Sequence, residues 1–123
     1  MSFFGKLLGK AEPSEAETLA ALRSAVVSSD TRRIKDIIAQ RPDMLERADE
    51  NGMRPLHWAA EAQSLSSVAC LVDLGGDVAQ KDAKGFTPEQ LAYWYGEFRM
   101  GAYTDVCLMI VERLKKGRMP QNA

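Results

Sequence analysis

Apolar residues recur along this chain at i, i+3 and i+4, the spacing of a helix buried on one face. Ile34, Ile37 and Ile38 form one such triplet, and Val68, Leu71 and Val72 form another. A second apolar segment precedes each: Thr18-Leu-Ala-Ala-Leu-Arg-Ser-Ala-Val-Val before the first, Pro55-Leu-His-Trp-Ala-Ala before the second. The pattern predicts helices over about 15–28, 31–40, 55–63, 66–74, 88–97 and 104–116, with Ser14 as an N-cap after Pro13. Residues 41–54, with Pro42 and Asp43, and 75–87 read as projecting, hairpin-like fingers. No run reads as a strand long enough for a sheet, so the expected class is all-α.

The pattern also repeats. Asp49-Glu-Asn-Gly-Met-Arg-Pro-Leu-His-Trp-Ala-Ala and Asp82-Ala-Lys-Gly-Phe-Thr-Pro-Glu-Gln-Leu-Ala-Tyr lie 33 residues apart and superpose Asp on Asp, Gly on Gly, Pro on Pro and Ala on Ala. Each residue type has a physical task. Gly52 and Gly85 supply the positive φ of a tight turn. Pro55 and Pro88 sit where a helix begins and a missing N–H costs nothing. Ala59, Ala60 and Ala92 let neighbouring helices approach, and Gly75-Gly76 ends a helix in a left-handed cap.

Gly52-Met-Arg-Pro-Leu-His-Trp-Ala-Ala60 and Leu74-Gly-Gly-Asp-Val78 carry a resemblance to the ankyrin repeat family. The resemblance implies an ankyrin-type solenoid of stacked helix-turn-helix units with β-hairpin-like loops. The chain then divides into an amphipathic leader at 1–14, a single repeat domain at 15–119 with units at about 15–48, 49–81 and 82–119, and a tail at 120–123. The first unit lacks the turn motif and reads as a capping repeat. The third carries about five extra residues between its helices, because Val106 stands where Val68 would place residue 101. In the family a Thr caps the first helix and bonds a His three residues on. Here Arg54 precedes His57 and Thr87 precedes Gln90, so each unit is expected to keep half of the pair. The middle helix should lose a cap of ~1 kcal/mol.

Composition narrows the functional classes. The chain has 123 residues, room for one domain, and 16 Lys and Arg against 17 Asp and Glu, which argues against a nucleic-acid partner. Two cysteines and one histidine are too few for a disulfide framework or a Cys/His metal site. No apolar run approaches the ~20 residues that span a bilayer. Lys6 interrupts the opening segment, which has no cleavable apolar stretch, and Ser2 stands where myristoylation needs glycine. A cytoplasmic protein with reduced thiols is expected, without cofactor or metal.

His57, the only imidazole, occupies the family's structural His position, where the ring bonds backbone of the adjacent finger. Cys70 and Cys107 fall on apolar stripes and read as buried, inert thiols. The pair Asp49 and Glu50 reads as an exposed finger surface and not an acid/base dyad. No enzymatic constellation remains. Binding of a protein partner is the expected function, through the concave face of finger tips and first helices.

The family's recognition positions fall on Glu50, Asn51, Met53, Glu61 and Ala62 in the middle unit, and on Ala83, Lys84, Phe86, Trp94 and Tyr95 in the last. Aromatics and Met are what interfaces concentrate. Trp94 and Tyr95 have a second reading, as a satellite core under the extra residues 98–103. Trp58 reads as packing between units. Residues 49–81 carry five acids against two bases, so a ligand of this face should be basic or apolar. The cations Arg113, Lys115, Lys116 and Arg118 read as helix-dipole partners.

In the leader, Phe3, Phe4, Leu7 and Leu8 share one helical face, with Lys6 and Lys10 on its flank. That face would dock on the chain itself, contact a partner, or insert into a membrane surface. It supports an alternative function, a membrane- or assembly-associated structural protein.

Overall fold

The computed structural model describes residues 13–100 and 105–117, with side chains at 97–100 and at 105 left aside. The leader residues Phe3, Phe4, Leu7 and Leu8, the tail at 120–123, Arg118 and the side chains of the insert at 98–103 lie outside the described residues.

Six α-helices account for most of the described chain: α1 (Glu15–Val27), α2 (Thr31–Gln40), α3 (Pro55–Glu61), α4 (Leu65–Asp73), α5 (Pro88–Met100) and α6 (Asp105–Gly117). The described residues contain no strand, so the class is all-α. One element was not expected: a 3-10 helix at Pro42–Glu46 occupies part of the first finger. Pro42 opens that turn, and the turn carries Met44 into full burial against α2.

The helices form two rows. In the inner row α1 packs on α3 and α3 on α5, while in the outer row α2 packs on α4 and α4 on α6. Within each unit the two helices also pack on one another. Small residues set the spacing. Ala59, Ala60 and Ala92 are fully buried. A Cβ at Gly96 would lie 2.5 Å from the Cys107 sulfur, so only glycine lets α6 approach α5 this closely. The core runs along the stack through Leu22, Ile34, Trp58, Leu71, Ile110 and Leu114.

α1 begins at a reciprocal cap. Ser14 Oγ accepts from the Glu17 amide at 3.1 Å, and Glu17 Oε1 accepts from the Ser14 amide at 2.9 Å. Three helices then end in the same left-handed motif. Gly75 takes φ 100° after α4, as its type suggested, and Gly76 N–H returns to Leu71 O at 2.9 Å. After α1 and α3 the left-handed residues are Ser29 (φ 62°) and Gln63 (φ 56°), which have no glycine freedom. Each side chain bonds to the next unit. Ser29 Oγ lies 2.6 Å from Ser64 Oγ, and Gln63 Nε2 donates to Ala92 O at 3.0 Å. These bonds offset a backbone strain of about 1–2 kcal/mol per residue.

The last helix corrects the expected register. Cys107, Ile110, Val111 and Leu114 are buried, whereas Val106 and Met109 are 43% and 52% exposed. Cys107, not Val106, is the counterpart of Val68, so the insert is one residue longer than expected. The apolar run at 106–111 offered two helical stripes, and only the packing of α6 on α4 and α5 selects between them.

Candidate binding groove

Two fingers precede α3 and α5, and they are wired alike. In the first, Asp49 Oδ1 accepts from the amides of Asn51 (2.8 Å) and Met53 (3.0 Å), and Gly52 N–H closes the turn on Asp49 O. In the second, Asp82 Oδ1 accepts from the amides of Lys84 and Phe86, both at 2.9 Å, and Gly85 N–H closes on Asp82 O. Gly52 and Gly85 have φ 72° and 88°, the left-handed values their turns require. Ala83 N–H donates to Asn51 O at 3.0 Å and ties the fingers together.

The shared wiring makes Asp49 a structural residue, which corrects its assignment to an exposed surface. Its side chain is 9% exposed, and its second oxygen receives the Trp58 indole N–H at 3.0 Å and Arg23 Nη1 at 3.2 Å. Burial pushes this carboxyl up. The Trp58 indole, the Met53 and Asn51 amides and Arg23 outweigh that and hold it below the usual range. Arg23 also lies 5.6 Å from the centre of the Trp58 ring. Trp58 is 1% exposed, packed between units as expected.

His57 is fully buried with both ring nitrogens engaged. Nδ1 accepts from the Arg54 amide at 3.1 Å, which leaves Nε2 as the protonated nitrogen donating to Phe86 O at 2.9 Å. The expected bond to the adjacent finger is present. Desolvation holds this imidazole below its ordinary value, and protonation at Nδ1 would set two donors against each other.

The caps of α3 and α5 differ from expectation in the last unit. Thr87 Oγ1 accepts from the Gln90 amide at 3.3 Å and Gln90 Oε1 accepts from the Thr87 amide at 2.9 Å, so this box is complete. Gln90 Oε1 supplies the acceptor for the Thr87 amide, so the unit keeps both halves of the cap where one is expected. At α3, Arg54 makes no side-chain cap, but Nε donates to Glu46 O at 3.1 Å and Nη1 to Lys81 O at 3.4 Å. The guanidinium ties the backbone before the first finger to the backbone before the second.

Between the fingers and α5 lies an open pocket of about 350 Å³. Asn51, Met53, Glu61, Ala83, Lys84, Phe86, Trp94 and Tyr95 line it, all of them positions singled out from the sequence. Asp82 and Leu91 line it as well. Both were overlooked, Asp82 because it read only as a matching position of the repeat and Leu91 because its counterpart Trp58 read as core. Glu50 and Ala62 do not line the pocket. Met53 is 8% exposed, so it is a floor residue with most of its side chain in the core. Its amide is held by Asp49, and that turn carries the side chain inward.

Trp94 is 49% exposed, with its ring centre 6.3 Å from that of Phe86. Tyr95 and Phe86 pack partly against the core. Glu61 reaches only 3.9 Å from Arg23.

Elsewhere, burial raises the thiols of Cys70 and Cys107 above the ordinary cysteine range. Among the described residues, no three His, Cys, Asp or Glu side chains gather as a metal site requires, and no helix is long and apolar enough to cross a membrane. No protein-family model matches the chain.

Proposed function

We propose that the chain is an ankyrin-type module of three stacked units that binds a protein partner in the groove between its two fingers and α5. The observation that carries this reading is Trp94, half-exposed in a concave pocket whose walls are two turns repeated 33 residues apart. A large apolar ring held open to solvent on a rigid helix is an interface anchor with little ordering entropy to lose. The inner and outer helix rows, the duplicated Asp turns and the His57 bond to the next finger support the repeat reading. A binding role, in place of an enzymatic one, agrees with a single imidazole whose two nitrogens are already used. A cytoplasmic setting, with Cys70 and Cys107 as free thiols, belongs to the same proposal.

Capture of partners from the native cell on immobilised full-length protein tests it, with Trp94→Ala and Trp94→Ala/Tyr95→Ala alongside. Partners should be lost from both variants while circular dichroism of Trp94→Ala stays unchanged. Undiminished capture by the double variant would place the interface elsewhere.

A further inference from the structure

The middle unit contains a small recognition site that the chain fills for itself. Arg23 of α1 lies over the Trp58 ring, donates to the Asp49 carboxylate and approaches Glu61 at 3.9 Å. A guanidinium suits these partners because its flat face meets an aromatic ring while its N–H edge meets a carboxylate.

One finger further along, the same residue types recur, and among the described residues no arginine lines the pocket they form. Asp82 repeats the Asp49 turn, and Glu61, Asp82, Phe86, Trp94 and Tyr95 line one pocket. In the chain, His57 stands 34 residues after Arg23, the offset that also relates Ser29 to Gln63. His57 is buried, and its Nε2–H is spent on Phe86 O, so it supplies no cation here. Among the described residues no cation pairs with Asp82. Leu91 replaces Trp58, and the exposed indole of Trp94 supplies the aromatic surface instead. Among the described residues the lining holds two carboxylates and one ammonium, that of Lys84, a negative balance.

We infer that this pocket takes the guanidinium of an arginine presented by the partner, which stacks on Trp94 and meets the carboxylates of Glu61 and Asp82. The inference rests on the groove reading above and narrows it to one side chain. The pocket volume of about 350 Å³ admits an arginine side chain with room for flanking backbone. The partner segment is therefore basic, in keeping with the acidic excess of residues 49–81.

Titration of the full-length ¹⁵N-labelled protein tests this with four capped pentapeptides, Gly-Ser-Xaa-Ser-Gly, where Xaa is Arg, Lys, citrulline or Glu. The two indole N–H signals, Trp58 and Trp94, are the reporters. The Arg peptide should shift Trp94 saturably and leave Trp58 in place. Citrulline, equal in shape and uncharged, should bind about tenfold more weakly, the order expected for losing a charge-assisted bond. Glu61→Gln should weaken the Arg peptide several-fold, and raised salt should do the same. Citrulline binding as tightly as Arg would overturn the inference and leave the groove reading intact. Silence of Trp94 with every peptide would also overturn it. Partner capture that still depends on Trp94 would then show that the groove binds something other than arginine. Loss of that dependence as well would remove both readings.

Discussion

The two fingers share a backbone design and differ in what completes it. In the first, Asp49 is closed off by Trp58 and Arg23, and the turn is sandwiched between the α1 unit and the second finger. In the second, Asp82 makes the same amide bonds, but Leu91 stands in place of the indole and no arginine pairs with the carboxylate among the described residues. The first turn is thus closed over by its neighbours, while the second lines a pocket. The same motif is buried under side chains in one place and faces a pocket in the other, and neighbours decide which.

The widest separation should come from the two tryptophans. Trp58→Ala empties a site that is 1% exposed and strips the Asp49 carboxylate of a donor, and should cost about 3–5 kcal/mol in urea unfolding. Trp94→Ala removes a half-exposed ring and should change stability by less than about 1 kcal/mol while abolishing partner capture. Equal losses from the two would end the distinction between a structural and a binding indole.

The turn glycines give a smaller contrast. Both have positive φ, so Gly→Ala strains each by about 1 kcal/mol. At Gly52 the new Cβ would also fall 2.6 Å from the Ala83 backbone nitrogen, whereas at Gly85 nothing lies within 4 Å. Gly52→Ala should therefore cost at least twice what Gly85→Ala costs, as measured by chemical denaturation. It should also speed exchange of the Ala83 amide.

A third contrast lies in acid. The Asp49 carboxyl is held below its ordinary value of 3.8, so the folded state takes up this proton less readily than the unfolded one. Its contribution is present above pH 3.8 and is lost as the pH falls through the lower folded value. Asp49→Asn should lower stability at neutral pH by about 1.5–3 kcal/mol and flatten this acid limb. Asp82→Asn, with no cationic partner among the described residues, should cost less.

The smallest effect is the titration of His57. Burial holds it below 6.5, so its contribution is complete above pH 6.5 and declines as the pH drops below that value. Stability measured between pH 7.5 and 5 should fall along this limb, and His57→Gln should lose the slope together with some stability at neutral pH. A wild-type curve flat across this range would refute the buried neutral tautomer.

Much of this is legible in the sequence. Gly75 announced its left-handed cap, Pro55 and Pro88 their helix starts, and the duplicated Asp-x-x-Gly its turn, because each is a local steric requirement. Eight positions of the groove could be read from the repeat, since a period maps equivalent residues to equivalent places. Features that depend on neighbours could not be read. Ser29 and Gln63 adopt positive φ without being glycine, because bonds to the next unit hold them there. Asp49 read as exposed because nothing local reveals that Trp58 and Arg23 will close over it. Met44 lay in a segment read as finger, and its burial depends on packing against α2.

By itself the sequence determined the helices, their order, the repeat of the turns and eight of the side chains that meet between the fingers. These follow from periodicity and from conformational limits that act within a few residues of chain. Tertiary structure alone decided which stripe of α6 is buried, which carboxylate is filled and which is left facing a pocket. Those outcomes turn on desolvation and on partners brought from 26 residues away, as Arg23 is to Asp49, and such distances are spanned only by a folded stack.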